Sequence, residues 1–379
     1  MIDANASCTG CSACRIACPV GAISMVPDEM GFPRPQVDAE LCINCLNCEE
    51  ICTRIRELPR NAALHVLAVR LKDTERLARS QSGGVFSALS DIILASGGHI
   101  YGCAMQDDFS AAHEMACDAS GRDRMLGSKY VQSRMGDCLE YVLDDLREGR
   151  KVLFSGTPCQ CRAVKAVAGP SLESSLLLVD IVCHGVPAPR VWQDYLNYVA
   201  HGRTIDSVDF RDKSYGWKSH VETIRFENGS TYRSRSYADL YYKHLMLRSS
   251  CGECLDNCRE RVTDLTIGDL WGLEKKMQEI YKENRGWSLV LTHTSKGAEA
   301  LEAAKDKLET MEVELKDCLQ PPLRIHSAIS PDAGRFASDL KLKGMGYVLR
   351  IYGDHNVRSR FRYLYKNVRR KLRKMLGKV

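Results

Sequence analysis

From Gly84 onward the chain alternates amphipathic stretches with short apolar runs. GVFSALSDIILA, residues 84–95, spaces its apolar positions for a helix, Gly97–Gly98 ends it, and HIYGCAM follows as a strand. CLEYVLDDLREGR predicts the next helix, Lys151–Ser155 a strand, and SGTPCQCRAV a turn into another helix. The apolar run LLLVDIVC ends at Cys183, with a Pro-rich turn before a further helix. Such alternation predicts an α/β domain with a largely parallel sheet. Residues 205–235 depart from it and predict an antiparallel hairpin turning at Asn228–Gly229. GWSLVLTHTSKGAEALEAA closes the body with a strand and a helix.

The first sixty residues follow another logic. Cys8, Cys11, Cys14 and Cys18 stand at spacings of two, two and three residues, and Cys42, Cys45, Cys48 and Cys52 repeat them. Three closely spaced thiolates wrap one 4Fe–4S cluster while the fourth reaches a second. Cys8, Cys11 and Cys14 are therefore expected to join Cys52 on one cluster, and Cys42, Cys45 and Cys48 to join Cys18 on the other. Zinc ribbons use two separated C-x2-C pairs instead. Pro19 follows the first run but Thr53 the second, which weakens the turn signal there without changing the ligand count. MVPDEMGFPRPQVD, between the runs, predicts a hairpin with its turn near Asp28–Gly31.

Eighteen cysteines in 379 residues call for metal ligation, because disulfide frameworks belong to short exported domains and no export signal opens this chain. No run of 18 apolar residues occurs, so the expected location is cytoplasmic. The net charge of +5 comes from the end of the chain: His355–Val379 holds ten Lys or Arg and no acid, and the remainder is net negative. Val357, Phe361, Leu364, Val368, Leu372 and Met375 lie at helical spacing there, which predicts a basic amphipathic helix. Its expected contact is its own domain, an acidic partner, or peripherally an anionic membrane face; nucleic acid is not expected.

Ligands of α/β sheets gather at the carboxyl ends of strands, and Cys159 and Cys183 sit at two such ends. With Cys251 and Cys254 of CGECLDNC they offer four thiolates from three segments for a third cluster. Cys258 competes: if it is a ligand, one strand-end cysteine is redundant. Cys103, Cys117, Cys138 and Cys318 are isolated and read as structural, and Cys161 as pointing elsewhere. The small residues of SQSGG, before the helix at 84, suit either a phosphate-binding turn or an ordinary N-cap.

Several short segments in order now carry a resemblance: Ser82-Gly83-Gly84, Gly127-Ser128-Lys129-Tyr130, Thr157-Pro158-Cys159-Gln160, Cys183-His184-Gly185, Cys251-x2-Cys254, Asp264-Leu265-Thr266-Ile267-Gly268-Asp269 and Gly286-Trp287-Ser288. The chain resembles the coenzyme F-420 hydrogenase/dehydrogenase beta-subunit family, fused to a two-cluster ferredoxin. The resemblance implies FAD and one 4Fe–4S cluster in the body. Its cluster ligands would be Cys159, Cys183, Cys251 and Cys254, leaving Cys258 a bystander. FAD would lie near Ser82, Gly83 and Gly84, near Gly127, Ser128, Lys129 and Tyr130, and near Asp264, Thr266 and Gly268. Lys129 is the candidate catalytic cation, with His184 and Trp217 candidate pocket walls.

The expected fold is therefore mixed α+β and α/β: a bacterial-type ferredoxin domain over 1–60, a mixed α/β flavin-binding body, and a C-terminal basic amphipathic helix. Within the body, 72–150 is the flavin side and 151–322 carries the third cluster; 323–379 is the C-terminal extension. The expected function is electron transfer between a cluster chain and FAD, with two-electron exchange to or from a deazaflavin or other organic acceptor and a redox protein or small molecule as partner. Two other roles stay open, a non-enzymatic electron-carrier subunit and a redox protein of surface-polysaccharide assembly.

Overall fold

The computed structural model describes residues 7–353; the basic segment at 355–379 lies outside them. The two cysteine runs form short turns of helix, Ala13–Ile16 and Asn47–Glu50, joined through an antiparallel hairpin of β1 (Ile23–Pro27) and β2 (Pro33–Val37). Asp28 makes the hairpin turn at the expected place: its Oδ1 accepts from the backbone N–H of Met30 and of Phe32, a side chain replacing the bonds of a backbone turn.

The body is built on one eight-stranded sheet. Its strands are β3 (His65–Leu71), β4 (His99–Met105), β5 (Ala111–Ala116), β6 (Val152–Gly156), β7 (Leu176–Ile181), β11 (Leu265–Asp269), β12 (Ser288–Thr292) and β13 (Leu308–Glu312). Their spatial order is β13-β3-β12-β11-β7-β6-β4-β5. Three of the seven pairings are parallel, β11·β7, β7·β6 and β6·β4, and the other four are antiparallel. The expectation of a largely parallel sheet is thus corrected to a mixed one. The parallel centre is where helices cross over, and its strands are largely buried: Val152, Leu153, Phe154, Leu178 and Val179 are all buried, and so are the polar Asp180 and Thr266. The flanks come from β3 and β13, which local patterning left unassigned because half of their residues face outward. One sheet therefore continues across residues 150 and 151.

A second, three-stranded antiparallel sheet joins β8 (Ile205–Asp209), β9 (Glu222–Phe226) and β10 (Thr231–Ser234) in the order β10-β9-β8. Its β9–β10 turn holds Gly229 at φ +80°, a conformation that glycine adopts without strain. Helices Pro189–Ala200 and Ala333–Ile351 cover it. Trp192, Tyr195 and Leu196 from the first meet Phe336, Leu340 and Val348 from the second in one buried cluster. Phe32 of the ferredoxin hairpin is buried in that same cluster, so the N-terminal domain is pinned to the body by a shared core. Arg15 adds an ion pair to Asp137 at 2.9 Å.

All four parallel strands run the same way, so their carboxyl ends line one edge. That edge brings Ser155–Gly156, Ile181–Cys183 and Gly268–Asp269 to the mouth of a single cleft.

Candidate functional site

The N-terminal thiols sort into two groups. Cys14 is buried and interacts with Cys8, Cys11 and Cys52, and burial raises its thiol to about 12. Cys18, Cys42, Cys45 and Cys48 line a separate small cavity with Val20, Ile43 and Leu46. Each run thus sends its fourth cysteine to the other's group. Cys45 is exposed, and Ile43 beside it is 61% exposed.

Cys159, Cys183, Cys251 and Cys254 line a third, enclosed void of about 30 Å³ with Thr9, Gln132 and Arg248. Burial raises all four thiols, Cys251 to about 11. Each sulfur has its own polar partner. Gly185 N–H donates to Cys183 Sγ at 3.3 Å, Val186 N–H to Cys251 Sγ at 3.4 Å and Asp256 N–H to Cys254 Sγ at 3.4 Å; Thr157 Oγ1 lies 3.2 Å from Cys159 Sγ. The three backbone N–H donors favour the thiolate and would tune a cluster bound there. Gly185 is at φ +110°, and a Cβ on it would lie 3.2 Å from Cys251 Cβ, so the chain approaches closely only because glycine stands there. Among the described residues no three His, Cys, Asp or Glu gather about one point to grip a single ion. The thiols instead ring a void, and a four-iron cluster takes each thiolate on its own iron corner.

Cys258 lies outside that ring. Its thiol donates to Glu260 O at 3.0 Å and accepts from Arg60 Nη1 at 3.0 Å. Arg60 also reaches Asp256, which Arg162 holds from the other side at 3.3 Å. Asn257 donates to Cys183 O at 3.2 Å. The residues between Cys254 and Cys258 therefore tie this loop to β7 and to the linker.

A cleft of about 280 Å³ opens beside the void. Ser82, Gly84, Gly127, Ser128, Lys129, Tyr130, His184 and Gly268 all line it. The Ser80–Gly84 turn enters helix Val85–Ala95 with Ser82 at φ +51° and Gly84 at φ +75°. A Cβ on Gly84 would fall 2.4 Å from Leu71 Cδ1. Ser80 Oγ and Gln81 Nε2, both lining the cleft, are buried without a hydrogen-bond partner. Orphaned polar atoms at a helix N-terminus suit the phosphates of a dinucleotide. Burial lowers Lys129 to about 8, and its Nζ donates to Leu126 O at 2.8 Å and Arg124 O at 3.2 Å.

Four expected residues lie elsewhere. Gly83 faces the sheet, its N–H donating to Ser288 Oγ at 2.9 Å. Asp264 and Thr266 sit at the far end and on the interior of β11. Asp264 accepts from Leu178 N–H at 2.9 Å and from Thr294 Oγ1 at 2.7 Å, and Thr266 Oγ1 lies 2.9 Å from His293 Nε2. Only the carboxyl end of that strand reaches the cleft. Trp217 is fully buried behind the wall, stacked on Trp271 at 4.7 Å, and Trp271 forms the lining in its place.

Sequence reasoning passed over the polar hub under the cleft. Asp269 accepts from Ser82 Oγ, from Trp217 Nε1 at 2.7 Å and from Arg211 Nη1 at 2.6 Å. Lys213 Nζ donates to the carbonyls of Leu77, Ser80 and Ser82 at 2.7–2.9 Å and so shapes the Ser80–Gly84 turn. The one local signal was Asp269 itself, an acid ending an apolar strand.

Two family models match. Residues 149–316 match the C terminus of the coenzyme F420 hydrogenase/dehydrogenase beta subunit, and residues 7–54 match a 4Fe–4S dicluster domain. The F subunit of the F(420)H(2) dehydrogenase of Methanosarcina mazei is 20% identical over 322 residues, 80% of this chain and 84% of that one. A chain of the xenon-derivatised F420-reducing NiFe hydrogenase complex from Methanosarcina barkeri is 17% identical, with 76% of this chain and 91% of that one covered and a TM-score of 0.49. Among the described residues no helix is long and apolar enough to cross a membrane. A dicluster segment that binds 4Fe–4S clusters thus stands ahead of a domain that matches the C terminus of the coenzyme F420 hydrogenase/dehydrogenase beta subunit, which makes the chain a beta-subunit-like iron–sulfur electron-transfer protein of the oxidoreductase class.

Proposed function

We propose that the chain is an iron–sulfur flavoprotein oxidoreductase. Its electrons pass through three 4Fe–4S clusters to FAD in the cleft and from there to or from an organic two-electron acceptor. The observation that carries this is the position of Cys183, which lines both the four-thiol void and the cleft. A cluster ligand in the wall of the flavin site leaves no long gap for the electron to cross.

On this reading Cys8, Cys11, Cys14 and Cys52 hold one cluster, Cys18, Cys42, Cys45 and Cys48 the outer one, and Cys159, Cys183, Cys251 and Cys254 the third. Ser82 and Gly84 at the start of helix Val85–Ala95 would hold the FAD phosphates, with Gly127, Ser128 and Lys129 along the opposite wall. Bound there, the flavin would exchange single electrons for a hydride. Arg211 and Asp269 keep the floor rigid, and Lys129 supplies positive charge to a group that gains electrons. The coenzyme F420 in the names of the family model and of the Methanosarcina mazei relative is the first acceptor to try. A role as one member of a larger assembly is favoured by the apolar surface around Cys45, where Leu41, Ile43 and Leu46 are exposed.

Anaerobic purification with iron, sulfide and flavin quantified tests this. About twelve irons and one FAD per chain are expected; intact clusters without flavin would overturn the flavoprotein assignment.

A further inference from the structure

The two N-terminal thiol groups differ in what surrounds them. The Cys8 group faces inward: Cys8 O accepts from the buried Arg248, and Thr9 lines the void of Cys159, Cys183, Cys251 and Cys254. The cavity of Cys18, Cys42, Cys45 and Cys48 is lined by residues of the 18–48 segment alone, and the body contributes nothing to it. Of the twelve thiols assigned to clusters, Cys45 is the one that is exposed.

The surface around Cys45 combines an apolar centre with charge of a single sign. Val20, Ile43 and Leu46 line the same cavity yet are 40–61% exposed, and the adjoining Leu41 is 53% exposed. Folding left these side chains in water beside a redox site, the mark of a face that is covered in association. Between Pro35 and Thr53 stand four acids, Asp38, Glu40, Glu49 and Glu50, and no Lys, Arg or His. Asp38, Glu40 and Glu50 are exposed. Asp38 Oδ1 accepts from the N–H of Glu40 at 2.9 Å and of Leu41 at 3.4 Å, which holds acid and apolar side chain in one turn. The nearest bases along the chain are engaged elsewhere: Arg34 pairs with Asp28 at 3.2 Å at the turn end of the hairpin, and Arg54 donates to Glu253 O at 3.0 Å. An anionic membrane would be repelled by these acids, and a second copy using the same face would set acid against acid.

We propose that the Cys45 face is the docking site of a one-electron redox protein whose own cofactor edge lies in an apolar face ringed by Lys or Arg. The proposal rests on the cluster assignment above and names the partner of its outer end. The apolar centre sheds its water on contact and lets the two redox groups approach, while the acids steer the encounter. Contacts between electron-transfer partners are small, below about 1,200 Å² in total, and transient. One electron crosses in each encounter. With an oxidising partner it leaves the outer cluster for the partner's cofactor, with no proton moved and no covalent bond made; a reducing partner runs the step backward.

The test uses the full chain, loaded with clusters and FAD, and ferricytochrome c, a basic one-electron protein with lysines around its haem edge. A zero-length carbodiimide joins carboxylates to lysines in contact, and mass spectrometry locates the joints. Cross-links from cytochrome c to Asp38, Glu40, Glu49 or Glu50 are expected. In rapid mixing with the reduced chain, wild-type cytochrome c reduction should slow steeply as salt rises from about 0.01 M to about 1 M. The double variant Glu40→Lys, Glu50→Lys should slow it roughly 10-fold at the low-salt end. Oxidation by ferricyanide, an anion, should be no slower in the variant, which separates docking from loss of a cluster. If the variant fails to fold, the wild-type cross-link map decides alone. Cross-links confined to acids of the body, or a variant within twofold of wild type at low salt, would overturn the docking site. So would cross-links within one chain from Lys366, Lys371, Lys374 or Lys378 to these acids, which would give the face to the chain's own basic segment. The expected cross-links in a chain with about twelve irons and no flavin would keep the docking site and remove the flavin alone.

Discussion

Arg248 Nε donates to the carbonyl oxygen of Cys8 at 2.7 Å, tying the segment just before Cys251 to the first cysteine of the chain. The same guanidinium reaches Pro33 O at 2.8 Å and Gln132 Oε1 at 3.0 Å, and it is 1% exposed. Gln132 continues the connection, donating to Thr9 O at 3.1 Å. One buried cation therefore sets the separation between the Cys8 group and the void that Cys251 lines.

Arg248→Met keeps the stem but leaves three buried acceptors without a donor, a loss of roughly 2–4 kcal/mol. The effect should be local. Hydrogen–deuterium exchange is expected to rise across residues 7–37 while the strands of the large sheet stay protected. Unchanged exchange in that segment would show that the shared core around Phe32 holds the domains together without Arg248.

Cys258→Ser and Cys159→Ser separate ring from bystander. Cys258 spends its thiol on Glu260 and Arg60, and Cys159 lines the void. Iron analysis after anaerobic purification is expected to give about twelve irons per chain for Cys258→Ser and about eight for Cys159→Ser, four irons being one cluster. The opposite pattern would move the third site onto the CGECLDNC loop.

Asp269→Asn keeps an acceptor for Ser82 and Trp217 but removes the charge facing Arg211, whose side chain is 2% exposed. An uncompensated buried guanidinium costs about 3–5 kcal/mol. Denaturant unfolding should register that loss, and the fraction of chains that retain flavin should fall with it, because Ser82 hangs from the same carboxylate. Wild-type flavin content in a destabilised Asp269→Asn protein would confine the hub to stability.

What was legible beforehand was local. The cysteine runs, the Asp28 turn, the helix after Gly84 and the Asn228–Gly229 hairpin each announce themselves within a dozen residues, through ligand spacing, turn chemistry or periodicity. Cys159 and Cys183 could be placed together because strand ends share an edge. Asp264 and Thr266 could not be kept out of the cleft, since which end of β11 faces it depends on pairing with β7, more than eighty residues earlier. The same distance hid Arg211, which lines the cleft from the segment after β8, and Lys213, which holds the carbonyls of the Ser80–Gly84 turn. The β3 strand went unassigned because its partners, β12 and β13, lie over two hundred residues away.

His293 gives the acid limit of the fold. It is 2% exposed, its Nε2 meets Thr266 Oγ1 at 2.9 Å, and burial lowers it to about 4, Arg261 adding to the effect. Unfolded, the imidazole titrates near 6.5. Above that pH both states are neutral and the group's contribution is fully present. As pH falls from 6.5 toward 4 the unfolded chain binds a proton that the folded chain refuses, so stability is lost on the acid side. At pH 5 that loss is about 2 kcal/mol for a single such group. His293→Gln retains a donor toward Thr266 and does not titrate, so wild type should lose about 2 kcal/mol more than the variant between pH 7.5 and pH 5, measured by urea unfolding at each pH. His113 and His220, also lowered to about 4 by burial, remain in the variant and keep some acid sensitivity there. Equal losses in the two proteins would mean that His293 accepts its proton without unfolding, through an opening of the β11–β12 edge where it sits.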